Sequence, residues 1–148
     1  MWWALVRPGV YLDHTPADDK AAAQETEFDR DVFSRLEHAF SNNRPYLDCT
    51  LKLETVADQL AVTPRELSNA VNRCARKSFR AYMREYRLEE AKRLLADHSR
   101  AGQSVYDIAM EAGFGTKSTF NDAFKAFTGQ TPSAYREAEL QRTDTLQV

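Results

Sequence analysis

The sequence has little of what usually announces an enzyme or a metalloprotein. Its two cysteines, Cys49 and Cys74, are too few for a disulfide framework or a zinc site, so a reducing compartment is the simpler reading. Five glycines and five prolines exclude collagen-like and low-complexity chains. No run of about 18 apolar residues occurs, which excludes a helical bilayer span. The start, Met1-Trp2-Trp3-Ala4-Leu5-Val6, lacks a basic segment and runs at once into Arg7-Pro8-Gly9, so it does not read as a secretion signal. His14, His38 and His98 are scattered without ligand spacing. There is no glycine-rich phosphate loop and no nucleophile elbow, and neither cysteine has a base nearby in sequence. Catalysis, a cofactor and a metal site are therefore not expected, and a cytoplasmic location is.

What is present is one domain's worth of chain, or two very small ones: 148 residues with 43% hydrophobic and 28% charged content, enough to fold around a core without staples. The net charge of -2 is unevenly spread. Residues 1–50 hold five bases against nine acids, whereas Arg65 to Arg100 holds ten bases against five acids. A locally positive segment is consistent with a nucleic-acid footprint and equally with a solvated helix face, so charge alone does not decide.

No stretch alternates as a strand would, and the chain reads as all-α. Phe28, Val32, Phe33, Leu36 and Phe40 form one helical stripe ending near Ser41-Asn42-Asn43, while Asp13 to Glu27, with Pro16 and an acidic pair, reads as a loop or linker. Val56, Ala57 and Leu60 mark a short helix and Ala61-Val62 a turn. Thr63-Pro64-Arg65-Glu66 then supplies an N-cap, a first-turn proline and the glutamate of a capping box for a helix burying Leu67 and Val71. A longer helix follows from Ser78 to about Asp97, with Phe79, Tyr82, Met83, Tyr86, Ala91, Leu94 and Leu95 at helical spacing and a length of roughly 30 Å. Ser104 and Asp107 open another short helix with Val105, Ile108, Ala109 and Ala112. Gly113-Phe114-Gly115 turns the chain, Thr116 caps a helix expected to bury Phe120, Phe124 and Phe127, and Thr131-Pro132 starts a last one through Tyr135 toward Leu140.

These helices contain a repeat. Val56-Ala57-Asp58-Gln59-Leu60-Ala61-Val62 aligns with Ile108-Ala109-Met110-Glu111-Ala112-Gly113-Phe114, and Leu67 and Val71 then match Phe120 and Phe124 once one extra residue is allowed in the second turn. Each copy has a small residue where two helices would cross closely, a turn residue four positions on and apolar anchors on the next helix, which is the helix-turn-helix layout. A stiff connector would hold the second helix of each copy about one turn of B-DNA apart. Helical hairpins that merely share a core are the plainer reading, and two copies in register weigh against it.

The segment Gly113-Phe114-Gly115-Thr116-Lys117-Ser118-Thr119-Phe120-Asn121-Asp122-Ala123-Phe124-Lys125, continued by Thr128-Gly129-Gln130-Thr131-Pro132-Ser133-Ala134-Tyr135-Arg136, resembles the C-terminal signature of the AraC/XylS family of bacterial transcription regulators. Arg87-Leu88-Glu89-Glu90-Ala91-Lys92-Arg93-Leu94-Leu95 resembles that family's linker helix. The resemblance covers about residues 51–138. It implies seven helices with two helix-turn-helix units, at about 53–76 and 104–128, joined by a linker helix at about 78–98 and closed by a helix at about 132–140. Residues 1–50 would form an N-terminal linker and amphipathic helix, and 141–148 a tail. It implies double-stranded DNA as partner and recruitment of RNA polymerase, with activation the family's commoner mode.

The resemblance also implies which positions read bases, namely Arg65, Ser68 and Asn69 in the first unit and Lys117, Ser118, Thr119 and Asn121 in the second. Arg65 and Lys117 suit guanine, and either asparagine suits adenine. Arg73, Arg76, Lys77 and Lys125, with the cap hydroxyls of Thr63 and Thr116, are expected at phosphates. Arg136 is the candidate for a structural ion pair. Many members have arginine where this chain has Asn69 and Asp122, and a carboxylate at Asp122 would repel phosphate, so the second unit is expected to bind more weakly.

Residues 1–50 are too few to enclose a small-molecule pocket, so the input signal is expected outside this chain. Arg44-Pro45-Tyr46-Leu47-Asp48 resembles the junction in members whose sensor is a membrane-embedded bundle. Trp2-Trp3 beside Arg7 would then be the interfacial end of a removed span, and the parent protein would be anchored in the inner membrane. The stripe from Phe28 to Phe40 would dock on its own domain in preference to forming a homodimer seam. The competing functional class is a helical interaction module whose basic middle docks on an acidic partner.

Overall fold

The computed structural model describes residues 16–145, which form seven α-helices and two single-turn 3-10 segments with no strand. The helices are α1 (Pro16–Asn43), α2 (Leu53–Gln59), α3 (Pro64–Ala75), α4 (Phe79–Leu95), α5 (Val105–Glu111), α6 (Lys117–Thr128) and α7 (Pro132–Thr145). The 3-10 turns are Pro45–Leu47 and His98–Arg100. The readings that concern Trp2, Trp3 and Arg7 lie outside the described residues, and among those described no helix is long and apolar enough to cross a membrane.

Local chemistry sets the helix starts. The Thr63 hydroxyl accepts from the Glu66 amide at 3.2 Å, and the Glu66 carboxylate accepts from the Thr63 amide at 2.7 Å, a complete capping box. Those bonds from Thr63 hold the Glu66 carboxyl below its ordinary value. Ser78, Ser104 and Thr116 cap α4, α5 and α6 in the same way, accepting from the amides of Ala81, Asp107 and Thr119. Thr131 accepts from Ala134 at the start of α7.

Two cores result, and α4 belongs to both. Its first half contributes Phe79, Tyr82 and Met83 to a core built with Val32, Leu36 and Phe40 of α1, Tyr46, and α2 and α3. Its second half contributes Leu88, Ala91, Leu94 and Leu95 to a core built with Ile108, Ala109, Ala112, Phe114, Phe120 and Phe124. The first is rich in ring contacts, Phe40 meeting Tyr46, Tyr82 and Tyr86 at centroid distances of 5.5, 5.8 and 5.1 Å. The second stacks Phe114, Phe120, Phe124 and Tyr135 in series. Offset and edge-on ring pairs of this kind add to plain burial.

Several expectations are corrected. Residues 16–27 are not a loop but the opening of α1. Pro16 stands at the first helical position, where a proline is tolerated, and the alanines and glutamates that follow are strong helix formers. The buried stripe on α1 is Asp29, Val32, Leu36 and Phe40, whereas Phe28 is 42% exposed. The carboxylate of Asp29 can be buried because the Arg73 guanidinium donates to it at 2.7 Å, while the thiol of Cys74 lies 3.8 Å from the Asp29 carbonyl. Since Val32, Leu36 and Phe40 are fully buried within the domain, the stripe docks on its own chain and is not left as a dimer seam. Phe127 is 42% exposed, with the Lys92 ammonium 5.8 Å from its ring centre, a cation–π contact in place of burial. α4 stops at Leu95, two residues early, because Asp97 caps the following 3-10 turn by accepting from the Ser99 amide at 2.9 Å. α7 runs past residue 140 to Thr145.

Candidate nucleic-acid interface

The repeat read from the sequence is reproduced bond for bond. α2 and α5 have seven residues each, and α3 and α6 twelve each. In the first turn the Leu60 amide donates to the Val56 carbonyl, Ala61 to Asp58 and Val62 to Ala57; in the second, Ala112 donates to Ile108, Gly113 to Met110 and Phe114 to Ala109. Gly115 is the inserted residue, after which the caps Thr63 and Thr116 come back into register. Ala57 and Ala109 are fully buried at the crossings, where a larger side chain would push the paired helices apart.

Both turns need a left-handed residue, Ala61 at φ 52° and Gly113 at φ 88°. At Gly113 a Cβ would lie 2.6 Å from the Tyr46 carbonyl, 2.9 Å from the Leu47 carbonyl and 3.0 Å from Arg87 Nε. The second turn thus packs directly against the 3-10 turn of the N-terminal half. Arg87 bridges the same place, donating to the Tyr46 carbonyl at 2.6 Å and the Asp48 carbonyl at 2.8 Å. Glu90 is buried and accepts from Arg44 at 2.8 Å and Arg93 at 2.7 Å. The hydrogen bond and charge of Arg93, assisted by Arg44, hold its carboxyl below the ordinary value against the opposing effect of burial. These contacts tie the linker helix to the segment before α2 and fix how the two units face one another.

On the outer surface, Arg65 and Lys117 open α3 and α6, exposed and without ion-pair partners among the described residues. Ser118 and Thr119 are exposed; Ser68, Asn69 and Asn121 are half-buried one turn further on. The Thr119 hydroxyl is held 2.9 Å from that of Thr116. The residues expected at phosphates divide. Thr63 and Thr116 spend their hydroxyls on caps. Arg73 is drawn onto α1 by Asp29 and by Glu25 at 3.1 Å, and Lys77 pairs with Glu85 at 2.6 Å. Arg76, left-handed at φ 57° where α3 ends, and Lys125 remain exposed with no such partner among the described residues. Among the described residues Arg136 makes no ion pair; it donates to the Gln103 carbonyl at 2.7 Å, and its Nε and Nη2 are buried without a hydrogen-bond partner.

Two cations escaped the sequence reading. Arg80 and Arg84 stand one helical turn apart on α4, both exposed. A signal for them existed: neither has an acid three or four residues away, whereas Arg87, Lys92 and Arg93 all do.

Two tandem helix-turn-helix units on a shared linker helix, each opening its second helix with an exposed base, define a class of DNA-associated regulatory domain. Comparison with known proteins agrees, since residues 56–138 match the helix-turn-helix domain family. The chain is 28% identical over 98 residues to the melibiose operon regulatory protein of Escherichia coli, covering 66% of this chain and 32% of that one. It is 28% identical over 108 residues to the XylDLEGF operon transcriptional activator of Pseudomonas putida, covering 70% and 34%. Among solved structures, a DNA-binding transcriptional dual regulator from Escherichia coli aligns with a TM-score of 0.60 at 26% identity, over 70% of this chain and 87% of that one. The C-terminal domain of the response regulator yesN from Fusobacterium nucleatum aligns with a TM-score of 0.59 at 26% identity, over 69% and 98%. The chain belongs to the AraC/XylS family of helix-turn-helix transcription regulators. It spans about a third of the length of the curated relatives it matches.

Proposed function

We propose that this chain is the sequence-specific, double-stranded-DNA-binding part of a transcription regulator, inserting α3 and α6 into successive major grooves on one face of a duplex. The observation that carries the reading is the duplicated turn, with an exposed base, unpaired among the described residues, at the head of each second helix. Arg65, Ser68 and Asn69 read one half-site; Lys117, Ser118, Thr119 and Asn121 read the other. Arg76 and Lys125 contact phosphates directly, while Thr63 and Thr116 orient the helix ends. Arg73 and Lys77 reach phosphate only by leaving their present carboxylates. The linker helix, 17 residues or about 25 Å, is shorter than the groove repeat of about 34 Å. Lateral offset of α3 and α6 or a bend of the duplex makes up the difference.

Activation through RNA polymerase fits a relative described as a transcriptional activator. A sensor segment elsewhere in a longer, cytoplasmic or membrane-anchored parent fits the fraction of the relatives that is matched. Selection from a random duplex pool tests the DNA reading. Two half-sites about 10 base pairs apart, bound with a steep salt dependence, are expected. A chain that enriches nothing and does not bind even at low salt contradicts it and favours docking on an acidic protein.

A further inference from the structure

We propose that Arg80 and Arg84 of the linker helix form a phosphate clamp that grips the DNA backbone between the two half-sites. This rests on the DNA reading above and adds a third contact region to it. On α4 every other base is already engaged: Arg87 with two carbonyls, Lys92 with Glu89 at 2.9 Å and Arg93 with Glu90 at 2.7 Å. Arg80 and Arg84 alone on this helix have no such partner among the described residues, and both are exposed. Side chains four residues apart on a helix project side by side, so the pair offers two guanidinium groups to one stretch of backbone.

Their surroundings face the side used by the second unit. Arg80 and Arg84 line a cleft of about 550 Å³ between the units together with Lys52, Arg87 and Thr119, with Glu54 its one carboxylate. Thr119 is a base-reading position of α6, so DNA seated on α6 passes this cleft. Arg84 also borders the adjoining cleft beside Thr119 and Asp122, where Glu85 is the other acid and is itself paired with Lys77. A guanidinium beside Asp122 offsets the repulsion that carboxylate exerts on phosphate. The floor of the cleft is apolar, with Leu51, Leu53, Phe79, Met83 and Phe114, but its charged lining is four cations to one anion, a balance that suits a phosphodiester chain, and guanidinium geometry suits phosphate oxygens.

The test uses the whole chain, its selected duplex, and the same duplex carrying uncharged methylphosphonate linkages between the half-sites. Binding is measured over salt for the wild type, for Arg84→Gln and for Arg80→Gln/Arg84→Gln, with Arg84→Gln repeated in an Asp122→Asn background. The double variant should lower the slope of log affinity against log salt by about two, near 0.9 for each phosphate lost, with base preferences unchanged. The methylphosphonates should weaken the wild type and leave the double variant nearly unaffected. An unchanged slope, or equal weakening of both proteins, overturns the clamp while leaving the DNA reading intact. Loss of the Arg84→Gln effect in the Asp122→Asn background also overturns it, because Arg84 would then serve only to neutralise Asp122. A wild-type chain that selects no duplex removes the DNA reading and the clamp together.

Discussion

The two helix-turn-helix units share their hydrogen bonds and differ in how they meet the same backbone demand. Each needs a left-handed residue in its turn and another after its second helix. The second unit has glycine at both, Gly113 and Gly129; the first has Ala61 and Arg76 at φ 52° and 57°. A side chain in that region is strained by about 1–2 kcal/mol. The first unit also has what the second lacks, a 28-residue helix, α1, packed into its core and pinned by the Asp29–Arg73 pair. The second unit has only the shorter α7, whose Tyr135 packs on Phe124, so the strained turns of the first unit coincide with the longer flanking helix.

Weakening the packing of α1 should have the largest effect. Phe40 is fully buried and touches three other rings, so Phe40→Ala should cost about 3–5 kcal/mol. In thermal unfolding followed by tryptophan-independent probes such as backbone circular dichroism, the first unit should melt before the second. Simultaneous melting with little loss would show that α1 does not support the first unit. Next comes Gly113→Ala, which combines the left-handed strain with a Cβ set 2.6 Å from the Tyr46 carbonyl. Denaturant titration should show a loss of about 2–4 kcal/mol. The corresponding change at Gly129, where a Cβ meets open space, should cost only about 1 kcal/mol.

The Glu90 cluster ranks third. Glu90→Gln leaves Arg44 and Arg93 without their carboxylate, and because both arginines are about half exposed the loss should be nearer 1–2 kcal/mol than the larger values for a fully buried pair. The sign with pH follows from the lowered carboxyl. Its contribution is complete above the ordinary glutamate value of 4.5 and is lost as pH falls through the depressed folded value. The stability gap between wild type and variant should therefore close on acidification below that point; a gap independent of pH would place the effect in packing. The smallest change runs the other way. Ala61→Gly should stabilise by about 0.5–1 kcal/mol, relief of strain outweighing the extra chain freedom of glycine, and a destabilised variant would contradict the strain assigned to the first turn.

The tandem units were legible in the sequence because their determinants are local: a small residue, a turn residue four positions later, then a cap and its partner within four residues. The family signature from Gly113 to Arg136 reinforced them. What was misread depends on distant partners. The stripe expected from Phe28 to Phe40 holds at Val32, Phe33, Leu36 and Phe40 and fails at its first position, where Asp29 is buried in place of Phe28 because Arg73, 44 residues away, pairs with it. The carboxylates that hold Arg73, an expected phosphate contact, are likewise invisible along the chain. Phe127 fits the apolar spacing of α6 but ends outside the core, over Lys92 of α4. Arg80 and Arg84 could have been singled out from the absence of nearby acids, a pattern that means little until the neighbours on α4 are seen to be paired.

Simultaneous reading of one duplex by both units, each at its own half-site, is the proposal on which the rest depends. It is tested most directly by measuring affinities of the wild type, Arg65→Ala and Lys117→Ala for the selected duplex and for two versions with one half-site altered at a time. Each variant should lose roughly 1–3 kcal/mol of discrimination at one half-site only, Arg65→Ala at one and Lys117→Ala at the other. Losses that are the same at both half-sites, or absent from both variants, would contradict it.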